Sequence, residues 1–280
     1  MKKKVAVFML FGQSNATGHG IPMREEDYIS EPLKNVWGLN RDPNQTFDSD
    51  RLFFTGYTSH GMNLAETQDN TYSVANCLAR QWQDAIDGGE ELPDLYVIQI
   101  AIGSQGVYDM WYPEREIKLI PGVHGTADIS LYPFTIHILS LLKKHFAEED
   151  IEPDFIGMHW RGGEQEVRRP IAELEGKLKK DYIRIFGGMR EALGYEFPIV
   201  LHLMPYVEVF TKEGNVETMY YINGLFEELA KEMPKTTLFD PRRAPYYGEP
   251  YVFYRWDLIH YSEKTNRWVA EQIFEEYKSR

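Results

Sequence analysis

The chain has 280 residues, 43% of them hydrophobic and 26% charged, which is ample material for a buried core. Its formal net charge is −13 and no basic block interrupts the acidic balance, so the phosphate backbone of a nucleic acid is excluded as an expected partner. A single cysteine, Cys77, excludes an internal disulfide, and a cytoplasmic setting is the default expectation.

The chain opens with Lys2, Lys3 and Lys4 before an apolar run, Val5 to Phe11, which imitates the start of a signal peptide. The run is too short for that and has no small-residue cleavage site behind it, so Lys4 to Phe11 reads as a buried strand. No stretch approaches the roughly 20 apolar residues of a membrane-spanning helix, and membrane residence is not expected. Ile21 to Asn70 carries Pro, Gly, Asn and Asp throughout and reads as a long loop. A helical pattern follows over Tyr72–Ala85, then a strand over Leu95–Ala101, a helix over Pro133–Ala147 and a strand over Phe155–His159. Further on come a helix over Ile171–Leu193, a strand over Ile199–Leu203, a helix over Glu217–Met233 and a weaker strand over Thr237–Asp240. Arg242 to Asp257 is crowded with aromatics and reads as a second long loop. A last helix over Ser262–Lys278 has Ser262 as its N-cap and Glu263 placed to favour its positive end.

Strands that are continuously apolar rather than alternating are buried on both faces, and their alternation with helices implies parallel βα units. The expected fold is therefore α/β, a three-layer α/β/α sandwich around a five-stranded, mostly parallel, flavodoxin-like sheet. With no repeat, linker or low-complexity tract, residues 1–280 read as one domain.

Chemistry concentrates at strand ends. The first strand runs into Gly12-Gln13-Ser14-Asn15-Ala16-Thr17-Gly18, which presents a serine at the carboxyl edge of a parallel sheet with its backbone N–H available to an oxyanion. Neither Gly-Lys-Ser/Thr nor Gly-x-Gly-x-x-Gly occurs, so the turn is not a nucleotide loop. Serine needs a base, and the base a carboxylate to hold its tautomer. Asp257-Leu258-Ile259-His260 supplies both from one turn. Taken singly, each motif is weak, since Ser/Asn/Gly turns and loop histidines are common structural features; the conjunction carries the argument.

That conjunction resembles the SGNH hydrolases, in particular their sialate O-acetylesterase and acetylxylan esterase branch. Gly12-Gln13-Ser14-Asn15-Ala16-x-Gly18 is similar to that branch's first block. Ala101-Ile102-Gly103-Ser104-Gln105-Gly106, followed by Trp111, is similar to the second, and His159-Trp160-Arg161-Gly162-Gly163-Glu164-Gln165-Glu166 to the third. Asp257 and His260 match the last. The resemblance implies Ser14 as nucleophile, His260 as general base and acid, Asp257 as its orienter, and the N–H groups of Ser14 and Gly103 as oxyanion donors. Gln13, Asn15 and Glu164 are expected to shape the site. One departure stands out: Gly162 occupies the position where the branch has a glutamine whose amide completes the oxyanion hole, leaving Gln165, Gln105 or Asn15 as possible substitutes. Glu166 replaces an aspartate.

The implied activity is removal of O-acetyl groups from a small or oligosaccharide ester through an acyl-enzyme, with no cofactor. The rival reading is a weak or inactive carbohydrate-binding protein that keeps the fold. Glu164 and Glu166 are too close in sequence for a glycosidase pair. His60, His124, His159 and His202 lack metal-ligand spacing, so no metal site is expected. The aromatics of the second long loop and of the second block provide faces for stacking on sugar rings, with Trp111 and Tyr254 as the named substrate-binding candidates. Oligomeric state is not readable from the sequence.

Overall fold

A computed structural model describes residues 2–19, 25–39, 52, 54–65, 71–114, 130–205 and 214–280. His124 and much of the Ile21–Asn70 segment lie outside the described residues.

The central strand is β1, Lys3–Gly12, whose side chains are buried from Val5 onward. Successive residues of a strand point to opposite faces, and β1 divides its side chains accordingly. Val5, Val7, Met9 and Phe11 join one core cluster, which includes apolar residues of the helices Leu131–Glu148, Leu178–Leu193 and Val216–Glu232. Ala6, Phe8 and Leu10 join another, built with the helices Val74–Asp87 and Glu263–Lys278. Each fully buried Phe or Leu in these layers contributes on the order of 1.5–3 kcal/mol of transfer free energy. The three-layer sandwich follows from this two-sided burial.

The sheet has seven strands, not the expected five: β1, β2 (Val36–Leu39), β3 (Phe54–Gly56), β4 (Asp94–Ala101), β5 (Ile151–Arg161), β6 (Ile199–His202) and β7 (Thr236–Phe239), in the order β3-β2-β4-β1-β5-β6-β7. All pairings are parallel except β2 with β3. The two additional strands lie inside the segment read as a loop. Each is only three or four residues long and contains a glycine, so neither produces a readable apolar run; pairing to β4 and to each other makes them strands. The helix expected over Ile171–Leu193 is also two helices, Ile171–Leu174 and Leu178–Leu193, separated by a turn in which Gly176 takes φ +70°. Ser262 caps the last helix as expected, its hydroxyl accepting the N–H of Thr265 at 3.2 Å.

The chain moves from β1 to one side of the sheet, returns at β4 and crosses to β5 on the other side. This is a topological switch point, where the carboxyl ends of neighbouring strands diverge and leave a crevice. The ends of β1, β4 and β5 deliver Ser14, Gly103 and Glu164 to it. Among the described residues no helix is long and apolar enough to cross a membrane.

Candidate active site

The turn after β1 is shaped by close approach. Gly12 has φ +140°, and a Cβ there would lie 2.0 Å from the carbonyl oxygen of Arg161 on β5, so only glycine fits. Gln13 N–H donates to that same oxygen at 3.0 Å. Ser14–Thr17 then forms a single helical turn, closed by Gly18 at φ +77° with Tyr72 backbone 2.7 Å from where its Cβ would be. The Ser14 carbonyl accepts from His19 N at 3.0 Å and Thr17 Oγ1 at 2.8 Å. Ser14 itself stays partly exposed at the crevice.

Gly103, just beyond β4, faces this turn: a Cβ on it would stand 3.7 Å from Ser14 Cβ and 3.9 Å from His19 Nδ1. Ser104 follows at φ +59°, an uncommon conformation for a non-glycine residue and one that clusters at functional sites. The loop is anchored from below by Glu166, fully buried, whose Oε1 accepts Val107 N–H at 2.5 Å. Burial pushes the Glu166 carboxyl up to about 7, against the pull of the backbone N–H groups that favour its charged form.

Glu164 gathers the amides of the nucleophile turn. Gln13 Nε2 donates to its Oε2, and Asn15 Nδ2 donates to its Oε1 at 2.9 Å. Asn15, whose Nδ2 also faces the Ile259 carbonyl at 3.5 Å, is thereby committed to structure rather than to an oxyanion. Gly162 lacks any side chain, and a Cβ there would be directed at the Trp160 indole, 3.1 Å from Nε1. Of the other expected substitutes, Gln165 accepts from Arg168 Nη1 at 3.1 Å on an exposed rim, and Gln105 lies partly exposed two residues past Gly103.

Asp257 and His260 meet as the spacing implied. Asp257 Oδ2 lies 2.9 Å from His260 Nδ1, and its Oδ1 accepts the backbone N–H groups of Ile259 and His260 at 3.1 and 2.9 Å. Leu258 must take φ +57° to allow this wrap, a strained value for a bulky residue. Burial works to raise the Asp257 carboxyl, but these hydrogen bonds and the adjacent imidazole outweigh it and hold the group below its usual range. The Arg255 guanidinium stands 3.6 Å from Asp257 Oδ2 and donates to the His19 carbonyl at 2.6 Å. Because Nδ1 of His260 faces Asp257, Nε2 is the nitrogen left for the crevice.

Two bonds from Asn15 join this loop to the turn carrying Ser14. Its Oδ1 accepts Tyr261 N–H at 3.0 Å, and its Nδ2 lies 3.5 Å from the Ile259 carbonyl, so the residues on either side of His260 are both held by the residue after Ser14. Beneath them the buried Arg161 guanidinium stacks on the Tyr261 ring at 4.4 Å and donates to Asn266 Oδ1 at 2.9 Å. The structure thus brings together Gln13, Ser14, Asn15, Gly103, Glu164, Asp257 and His260.

Two expected substrate contacts are corrected. Trp111 is 0% exposed; its Nε1 donates to the Gly12 carbonyl at 3.2 Å and its ring packs on Trp160, so it supports the end of β1 from inside. Tyr254 is 5% exposed and packs against Phe253 and Tyr261. Aromatic residues near Asp257 divided by burial, not by proximity in sequence. The exposed ones are Trp256, at 80%, and Tyr251, at 76%. Sequence reasoning missed His19 and Arg255. A lone histidine after a glycine and an arginine within an aromatic loop carry no pattern, and only contact places them beside His260 and Asp257. Among the described residues no group of three or more His, Cys, Asp or Glu side chains is placed to hold a metal ion.

No family model and no curated protein matches the chain. Among solved structures, NanS aligns over 100% of this chain and 99% of its own at a TM-score of 0.66 and 13% identity. A variant of Axe2, an acetyl xylan esterase from Geobacillus stearothermophilus, aligns over 98% and 94% at 0.48 and 15% identity. The lipase Lip_vut3 from a goat rumen metagenome aligns over 97% and 96% at 0.48 and 12% identity. At these identities the likeness is one of fold, and the NanS match establishes it end to end.

Proposed function

We propose that this chain, which has an SGNH carbohydrate-esterase-like fold, is a serine esterase that removes O-acetyl groups from a carbohydrate. The observation that carries the reading is the Asp257–His260 pair at 2.9 Å on a loop that Asn15 ties to the turn bearing Ser14. A binding protein has no use for a carboxylate that wraps its own backbone to fix an imidazole tautomer. Ser14 Oγ attacks the acetyl carbon while its proton passes to His260 Nε2, and the resulting imidazolium is stabilised by Asp257. The oxyanion accepts from the N–H groups of Ser14 and Gly103. As the carbon–oxygen bond to the sugar breaks, His260 returns the proton to the leaving hydroxyl. Water then attacks the acetyl-enzyme, its proton passing through the same histidine, and acetate leaves with Ser14 restored.

The sugar assignment rests on the sequence resemblance and on Tyr251 and Trp256, exposed aromatic residues shortly before Asp257 in sequence that offer the flat faces pyranose rings stack on. Hydrolysis of p-nitrophenyl acetate, compared with Ser14→Ala, tests the chemistry. A panel of defined acetylated glycans then tests the leaving group. Turnover lost in folded Ser14→Ala supports the esterase; equal turnover in both overturns it.

A further inference from the structure

We infer that His19 is a further catalytic residue, an imidazole N–H donor to the oxyanion that takes the place of the side chain missing at Gly162. The inference rests on the esterase reading and concerns the same site. Three observations carry it. First, a Cβ at Gly103 would lie 3.7 Å from Ser14 Cβ and 3.9 Å from His19 Nδ1, so the imidazole nitrogen approaches Gly103 as closely as the nucleophile does. Second, the His19 and His260 rings are 5.1 Å apart at 48°, which places both histidines around one reacting group. Third, the His19 backbone is pinned at both ends, its N–H to the Ser14 carbonyl at 3.0 Å and its carbonyl to Arg255 Nη1 at 2.6 Å. These bonds fix the backbone from which the imidazole projects between the nucleophile turn and Arg255, and a donor whose placement needs little reorganisation is the more effective one.

The chemistry needs a donor here. Asn15 spends its amide N–H groups on Glu164 and Ile259, Gln13 gives one to Glu164, and a Cβ at Gly162 would point toward an indole. Without a third group the hole has two backbone donors, and one well-placed donor is worth about 10²–10³ in kcat.

The test separates the N–H from the ring. Steady-state kinetics on p-nitrophenyl acetate are measured for the wild type, His19→Phe, His19→Gln and Gln105→Leu, with thermal melts to establish folding. His19→Phe keeps an aromatic ring against His260 and removes the donor; His19→Gln removes the ring and keeps an N–H. The expected result is a kcat loss of about 10²–10³ in His19→Phe, KM within a few-fold, and substantial recovery in His19→Gln. Wild-type kcat in His19→Phe, equal losses in the Phe and Gln variants, or a loss of that size in Gln105→Leu instead would each overturn the inference. Wild-type turnover no greater than that of Ser14→Ala would remove the esterase reading, and this inference with it.

Discussion

Asn15 Oδ1 accepts the backbone N–H of Tyr261 at 3.0 Å, joining the residue after Ser14 to the residue after His260 across 246 positions of sequence. The two halves of the proposed machinery come from opposite ends of the chain, so their relative position depends on such cross-links. Asn15 is itself oriented by Glu164, which also holds Gln13.

Removing this staple is therefore expected to cost activity more than stability. Asn15→Ala should lower kcat by about 10–100-fold, the scale of a misplacement near 1 Å, while the loss of buried hydrogen bonds costs about 1–3 kcal/mol. Parallel kinetics and urea unfolding check the two numbers. Unchanged kcat in a folded variant would show that the loop holds His260 without Asn15.

Asp257→Asn should leave the loop recognisable but reduce kcat by up to about 10⁴, because the amide no longer fixes the imidazole tautomer. The folded carboxyl lies below its ordinary value, so its contribution to stability is present above the unfolded value of about 3.9 and is lost as pH falls through the lower folded one. Melting temperatures between pH 5 and pH 2 should fall less steeply in Asp257→Asn than in the wild type.

Glu166 has the opposite sign. Its folded carboxyl is pushed up to about 7 by burial, so its stabilising effect is complete below the unfolded value near 4.3 and is lost as pH rises through about 7. Glu166→Gln, which retains an acceptor for Val107 N–H, should be more stable than the wild type at pH 8 by on the order of 3 kcal/mol and nearly equal at pH 4.5. Chemical denaturation at the two pH values checks this; a difference independent of pH would contradict it.

On the strands to one side of β1, His159 Nδ1 of β5 and His202 Nε2 of β6 lie 2.9 Å apart in the core. Burial lowers both imidazoles, His159 to about 3, with Arg161 adding to the effect. Groups held neutral in this way contribute stability above about 6.5 that is lost as pH falls toward 3. The wild type should therefore lose stability across that range more steeply than His202→Phe, which keeps a ring stacked on Phe239.

Much of this was readable in the sequence for physical reasons. β1 is buried on both faces and so is apolar throughout, and the strand-end motifs carry their spacing with them. Asp257 and His260 need only a turn to meet. What was not readable depends on pairing or burial. Val36–Leu39 is a strand only because β4 is beside it, and Phe54–Gly56 only because it pairs with Val36–Leu39. Trp111 stands close to Gly103 in sequence, yet its indole turns inward to Gly12. Gly162 was legible as a missing amide, but the direction its side chain would take was not. Since that direction is toward Trp160, Gly162→Gln is expected to be neutral or harmful rather than restorative.

The most direct measurement of the central claim is covalent trapping. A fluorophosphonate probe transfers its phosphonyl group to an activated serine hydroxyl and releases fluoride, and peptide mass spectrometry then locates the adduct. The account predicts one stoichiometric adduct on Ser14, absent in Ser14→Ala and formed far more slowly in His260→Ala. Absence of labelling in the folded wild type, or an adduct on another residue that persists in Ser14→Ala, would contradict it.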